Sequence, residues 1–231
     1  MPETSRSLLL VVSLAVAGAA CGGGGDPGPT PLSHHFDDYH IARVPVGERQ
    51  PVFQAQNDYH IAKGEFVTVQ TKLDDNATRL DVAKNELKQA MLDEESAKSK
   101  LNNAEKTGDM NRVNTAKAEL RAAEMQRRAA DQKIAAVKAE KKWLKKQLRY
   151  AEENMYAQEA RYELAKANVA KAKNIRPKGF ELSVYVEQHK ERSRRAQRSK
   201  ALADQAKKKF EEEKRKYEAM KKEASRASGS S

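Results

Sequence analysis

Val113 to Ala172 reads VNTAKAELRAAEMQRRAADQKIAAVKAEKKWLKKQLRYAEENMYAQEARYELAKANVAKA, and its spacing decides the fold. Val113, Leu120, Arg127, Ile134, Lys141, Leu148, Met155, Tyr162 and Val169 fall seven apart. Three residues after each stand Ala116, Ala123, Ala130, Val137, Leu144, Ala151, Gln158, Ala165 and Ala172. These are the a and d rows of a coiled coil. Nine heptads in one register predict a helix over about 111–173, about 90 Å long at 1.5 Å per residue. Small d residues let two helices approach closely. Arg127 and Lys141 interrupt the seam, either reaching out to water or fixing the register.

A second row on the same helix is apolar too. Ala122, Ala129, Ala136, Trp143, Tyr150, Ala157 and Leu164 recur at c, so this helix expects two neighbours. Trp143 and Tyr150 either pack in that second face or form an exposed interaction patch.

Outward toward the N-terminus, Leu73, Leu80, Leu87 and Leu101 repeat every seventh residue, with Glu94 in the remaining place. Asn76, Ala83, Ala90, Ala97 and Ala104 follow at d, predicting a helix over about 71–106 that stops at Gly108-Asp109. Toward the C-terminus, Pro177 and Gly179 end the middle helix. Phe180 to Val186 alternates like a strand, or else opens the next helix, expected over about 184–227. That helix has Ala196, Ala203, Phe210 and Tyr217 at a, with Ala206 and Met220 at d. It is the most basic part: residues 184–231 hold fifteen Lys or Arg against eight acids, and Ser228 to Ser231 reads as a disordered tail. The expected fold is all-α, an elongated antiparallel coiled coil of about three long helices with short turns. The first and third would flank opposite ends of the middle helix and overlap near its centre.

The composition agrees. Charged residues make up 33% and hydrophobic residues 39%, with one Trp, the balance of long helices rather than of a globular core. The net charge of +11 favours anionic partners. Nucleic acid is disfavoured: Glu211 to Glu213 directly follow Lys207 to Lys209, and no aromatic-interleaved basic face accompanies Arg194-Arg195.

Residues 32–70 have another texture, with Pro45, Pro51, Gly47, Gly64 and the strand-like run Phe66 to Val69, and predict a small irregular or β-prone head. Within them Asp38-Tyr39-His40-Ile41-Ala42 recurs as Asp58-Tyr59-His60-Ile61-Ala62. One reading is a metal site in which Asp38, His40, Asp58 and His60 converge, with His34 and His35 nearby. The other is a duplicated segment whose Tyr and Ile dock on the rod.

The N-terminus carries a further pattern. Arg6 precedes Leu8 to Ala20, thirteen uncharged residues, the length of a signal-peptide core and short for a membrane span. Gly18-Ala19-Ala20 then lead into Cys21, the single cysteine. This arrangement resembles the lipobox of bacterial lipoproteins, with Ala19 and Ala20 at the small positions, Cys21 at the acylated one and Gly18 where the family usually has Leu, Val or Ile. The resemblance covers this N-terminal tenth of the chain. It implies removal of residues 1–20 and lipid on Cys21. It also implies anchorage in a bilayer, with Gly22 in place of an inner-membrane Asp signal and hence the outer membrane facing the periplasm. Gly22 to Pro31, GGGGDPGPTP, then reads as a tether.

No nucleophile elbow, phosphate loop or His-x-x-x-His spacing occurs, so no enzyme and no cofactor is expected. The leading expectation is a structural tether or scaffold of the cell envelope that contacts peptidoglycan or an envelope complex. The alternatives are an adaptor subunit of an export complex and a basic helical periplasmic chaperone. The rod is either a monomer or an oligomer.

Overall fold

The computed structural model describes residues 28–229. It contains a short helix α1 (Asp38–Ala42), a 3-10 turn (Val46–Arg49) and three long helices, α2 (Gln50–Thr107), α3 (Met110–Ala172) and α4 (Leu182–Gly229). Among the described residues there is no strand. The long helices pack in sequence order, α2 on α3 and α3 on α4, so α3 is the central member. At 63 residues it is about 95 Å long.

The a and d rows form the α2–α3 seam as the heptads require. Asn76, Ala83, Ala90 and Ala97 of α2 are buried, as are Val113, Ala116, Ala123, Ile134, Val137, Leu144 and Ala151 of α3. A line of ion pairs edges the seam: Asp58–Arg161, Arg79–Glu140, Glu86–Lys133 and Lys100–Glu119. In each pair the two residue numbers add to 219, which marks one antiparallel register kept over the length of the hairpin. Exposed pairs of this kind contribute about 0–1 kcal/mol each, so they report the register more than they fix it. Two of the polar seam residues, Glu94 and Arg127, find each other. Glu94 is buried and takes hydrogen bonds from Lys98 and from Arg127 across the seam. The Lys98 bond first, and the Arg127 bond with it, hold the Glu94 carboxyl below its ordinary pKa.

Asn76 is fully buried, and its Nδ2 donates to the Val137 carbonyl (3.3 Å) and to Glu140 (3.0 Å), while Oδ1 has no partner. An orphaned buried acceptor costs about 1–3 kcal/mol. Asn76→Leu should therefore raise the thermal midpoint by a few degrees, at about 2–4 °C per kcal/mol for a chain this size. A lowered midpoint in a calorimetric scan would show that the two donor bonds outweigh the orphan.

The expected head is shorter than 32–70 and not β-prone: an irregular stretch with α1 and the 3-10 turn ends at Arg49. Residues 50–70 belong to α2, which extends the Leu73 register backward through Phe66, Tyr59 and Val52 at a and through Val69, Ala62 and Ala55 at d. Val52, Ala55 and Ala62 are buried. Pro51 sits in the first turn, where its missing N–H would have had no partner, so it starts the helix rather than breaking it. Phe66 to Val69 is helical because Phe66 and Val69, half-buried in the seam, continue its register, which outweighs their strand propensity. For the same reason the first helix does not stop at the middle of α3: it accompanies α3 to its C-terminal end. Phe180 to Val186 is not a strand either, since α4 begins at Leu182. Ser228 and Gly229 are helical rather than part of a tail; Ser230 and Ser231, like the expected signal peptide and Cys21, lie outside the described residues.

The turns use backbone conformations that glycine favours. Gly108 (φ +70°) closes α2, and Asp109 caps α3 by accepting from the backbone of Asn111 and Arg112. Gly179 (φ +76°) reverses the chain before α4.

Candidate functional site

α3 carries the second neighbour that its c row predicts. Ala122, Ala129, Ala136 and Ala157 are buried, as are Ala196, Ser199, Ala203 and Ala224 of α4. Trp143 stacks flat on Phe210 of α4, with centroids 5.4 Å apart and planes 4° off parallel. Trp143 and Tyr150 are both partly buried, so this row is a packing face.

One side of α3, between its two neighbours, is left open, and residues 28–37 lie there as an extended strap. Its contacts step backward along α4. Arg195 donates to the Gly28 carbonyl (3.1 Å), Arg192 to that of Pro31 (2.9 Å), Gln188 to that of His34 (2.9 Å) and Tyr185 to that of His35 (3.3 Å). The Gln188 carbonyl also accepts from the backbone of Ser33 (3.1 Å) and His34 (3.0 Å), so one side-chain amide does what a neighbouring strand would do. The strap thus runs antiparallel to α4, toward the end of the rod.

At that end it is fastened to α3. The Phe36 N–H donates to Glu163 (2.6 Å), and Lys166 donates to the Phe36 carbonyl (2.8 Å) and to Asp38 (2.8 Å) while pairing with Glu163 at 2.8 Å. Glu163 and Lys166 are both buried. Burial alone would push the Lys166 ammonium down, but its bonds to Asp38 and Glu163 raise it above the ordinary lysine value, so it stays charged. Glu159, one turn away, has its carboxyl raised, first by burial. His189 is lowered by burial and then by Arg161. Leu32 and Phe36 are buried, and the Phe36 ring meets Phe180 (5.6 Å) and Tyr185 (6.0 Å) edge-on. Phe36, Ile41, Val44 and Val52 close a small apolar core with Ala167, Val169 and Ala170.

Where the strap begins, the buried acid Glu153 binds Arg195 through Oε1 at 2.9 Å and lies 3.5 Å from Arg149. Beyond Arg149 the same side of α3 continues as a shallow groove against α4, lined by Lys142, Lys145, Lys146, Arg149, Leu202 and Lys209. The rows agree: Lys142, Arg149 and Glu163 share the b row, and Lys138, Lys145 and Lys166 the e row. Strap and basic groove are therefore two halves of one channel.

The repeated segment does not form a metal cluster. Its first copy is α1, where Asp38 pairs with Lys166; its second lies inside α2, where Asp58 pairs with Arg161 at 2.9 Å. His40 stacks edge-on with Phe36 and Tyr39, and His60 is exposed on α2. Among the described residues no group of three or more His, Cys, Asp or Glu is placed to hold a metal ion. Both aspartates instead pair with a cation of α3. The docking reading holds only in part: Ile41 is buried and Tyr59 half-buried, whereas Tyr39 and Ile61 are exposed and the second copy is part of the rod itself. Residues 28–31 of the expected tether are held by Arg192 and Arg195, and residues 22–27 lie outside the described residues.

Glu153, Glu163, Lys166, Gln188 and Arg192 were not legible as site residues, since charged and amide side chains on a long helix normally face water. One signal existed: Glu153 shares its row with Lys146, Ala160 and Ala167, and the two alanines that follow it mark a part of the row where an acid is out of place unless something covers it. No described helix is long and apolar enough to cross a membrane. No family model matches the sequence, and no curated protein or solved structure matches it either.

Proposed function

We propose that this protein is a lipid-anchored tether of the bacterial cell envelope, a structural protein rather than an enzyme. Its rod lies between the outer membrane and a second partner, peptidoglycan or an envelope complex. The observation that carries this reading is the strap. The described part of the segment that leads from Cys21, residues 28–37, lies along the rod. It is fastened to two helices by Glu163, Lys166, Gln188, Arg192 and Arg195 before α1 begins. A fastening of that kind couples an anchor to a stiff body, which a tether requires. The rod's length, about 95 Å, supplies an extended face for the second partner. The basic α4 offers the charge for an anionic wall polymer. An adaptor of an export complex would join its hairpin of long helices to β-prone segments at 64–70 and 180–186, and the chain is helical from 64 to 70 and from Leu182 onward.

Two measurements on the protein from envelope fractions test the proposal. Mass spectrometry should find Cys21 as the first residue, bearing acyl chains. Extraction with detergent should leave a fraction bound to sacculi until salt is added. A free, unmodified Cys21, or complete release by detergent alone, would remove the anchor or the wall contact respectively.

A further inference from the structure

We infer that the open basic half of the channel on α3 is a docking surface for an anionic phospholipid bilayer, so that the rod lies against the membrane along this side. Three observations converge. First, Lys138, Lys142, Lys145, Lys146 and Lys209 are exposed and make no ion pair among the described residues. The acids at the far mouth, Glu212 and Glu213, are both taken by Lys216. A cluster of uncompensated lysines beside an exposed Leu202 has the chemistry of a lipid-headgroup surface: ammonium groups for phosphates and an apolar side chain for the interface.

Second, the strap shows where the chain leaves the rod. Gly28 lies beside Arg195, whose partner Glu153 also binds Arg149, the first residue of the groove. The exit is therefore on the flank. Glu153 is nineteen residues from the α3 C-terminus, or about 28 Å along the axis.

Third, Cys21 is seven residues before Gly28, a reach of at most about 25 Å even when fully extended. An acyl chain on Cys21 would hold the bilayer within that distance of the groove mouth. A lipid anchor with a basic patch is the usual two-signal membrane attachment. The position of the bilayer rests on the lipid-anchor reading above, whereas the charge of the groove does not.

The test is flotation of the full chain with phosphatidylcholine vesicles and with vesicles in which about a quarter of the lipid is phosphatidylglycerol, at low salt. Hydrophobic insertion of the N-terminus contributes to both, so the ratio of the two affinities isolates the groove. It should be about tenfold or more in favour of the anionic vesicles and collapse at high salt. Replacing Lys138, Lys142, Lys145 and Lys146 with Gln should abolish most of the ratio. The same change at Lys72, Lys88, Lys106 and Lys117, exposed lysines elsewhere on the rod, should leave it intact. Circular dichroism checks that both variants keep their helix content. A ratio near one, or equal losses in the two variants, overturns the inference, the second by assigning the effect to net charge. An unmodified Cys21 with a groove-dependent ratio would sink the anchor and spare the docking surface. Acylated Cys21 with no such ratio would do the reverse.

Discussion

Phe36→Ala should free the strap from the rod while the three long helices stay folded. Phe36 is 3% exposed and centres the apolar core that joins α1, the start of α2, the end of α3 and the α3–α4 turn. Truncating a buried Phe costs about 3–5 kcal/mol. The seam of α2 and α3 does not depend on this ring, because its buried residues continue to the Gly108 turn. The loss should therefore be local. Hydrogen exchange at residues 33–44 should accelerate by roughly a hundredfold or more, since about 1.4 kcal/mol is a factor of ten, while the rest of α3 keeps its protection. Helicity measured by circular dichroism should hardly change. Unaltered exchange at these amides would mean that Glu163, Lys166 and Gln188 hold the strap without help from the apolar core.

The second large effect is expected at Arg195. Glu153 is fully buried and depends on Arg195 at 2.9 Å, with Arg149 a more distant partner at 3.5 Å. Arg195→Ala leaves that carboxylate underpaired inside the α3–α4 packing and removes the donor to Gly28. Breaking a buried pair on one side costs about 3–5 kcal/mol, which corresponds to a midpoint lower by about 6–20 °C for a chain of this size. The double replacement Glu153→Met with Arg195→Met should recover most of the loss, because it removes the uncompensated charge together with its partner. Urea titration of the single and double variants gives the comparison. If Arg195→Ala costs less than about 1 kcal/mol, or if the double variant is as unstable as the single one, the pair is not what stabilises this part of the rod.

What could be read in advance follows from periodicity. The a, d and c rows of α3 lie within one element, so two neighbours could be deduced from local spacing, and the short turns at Gly108 and Gly179 gave the antiparallel direction. The head failed for a local reason. Pro45, Gly47, Pro51 and Gly64 are each ordinary breakers, and Phe66 to Val69 favours strands. Yet Pro45 and Gly47 precede α2, Pro51 lies in its first turn, and Gly64 is on its exposed side, where a missing side chain leaves no gap in the seam. Continuing the Leu73 row backward to Phe66, Tyr59 and Val52 would have corrected it. The strap was unreadable for a different reason. It joins residues 28–38 to residues 153–195, and no periodicity connects an extended segment to the helix side that will receive it. Glu163 and Lys166 look like any i,i+3 surface pair until Phe36 covers them.

The direction in which the strap lies gives the molecule a mechanical grain. Its attachments at Gly28, Pro31, His34 and Phe36 follow one another along the axis of α4. Tension applied at the N-terminus parallel to that axis strains all of them at once, as in shear. Tension applied across the axis meets them singly, Arg195 first, and peels the segment away like a strip of tape. A rod lying along a surface and tugged sideways would hold, whereas the same rod pulled upright would begin to unbutton from its own flank.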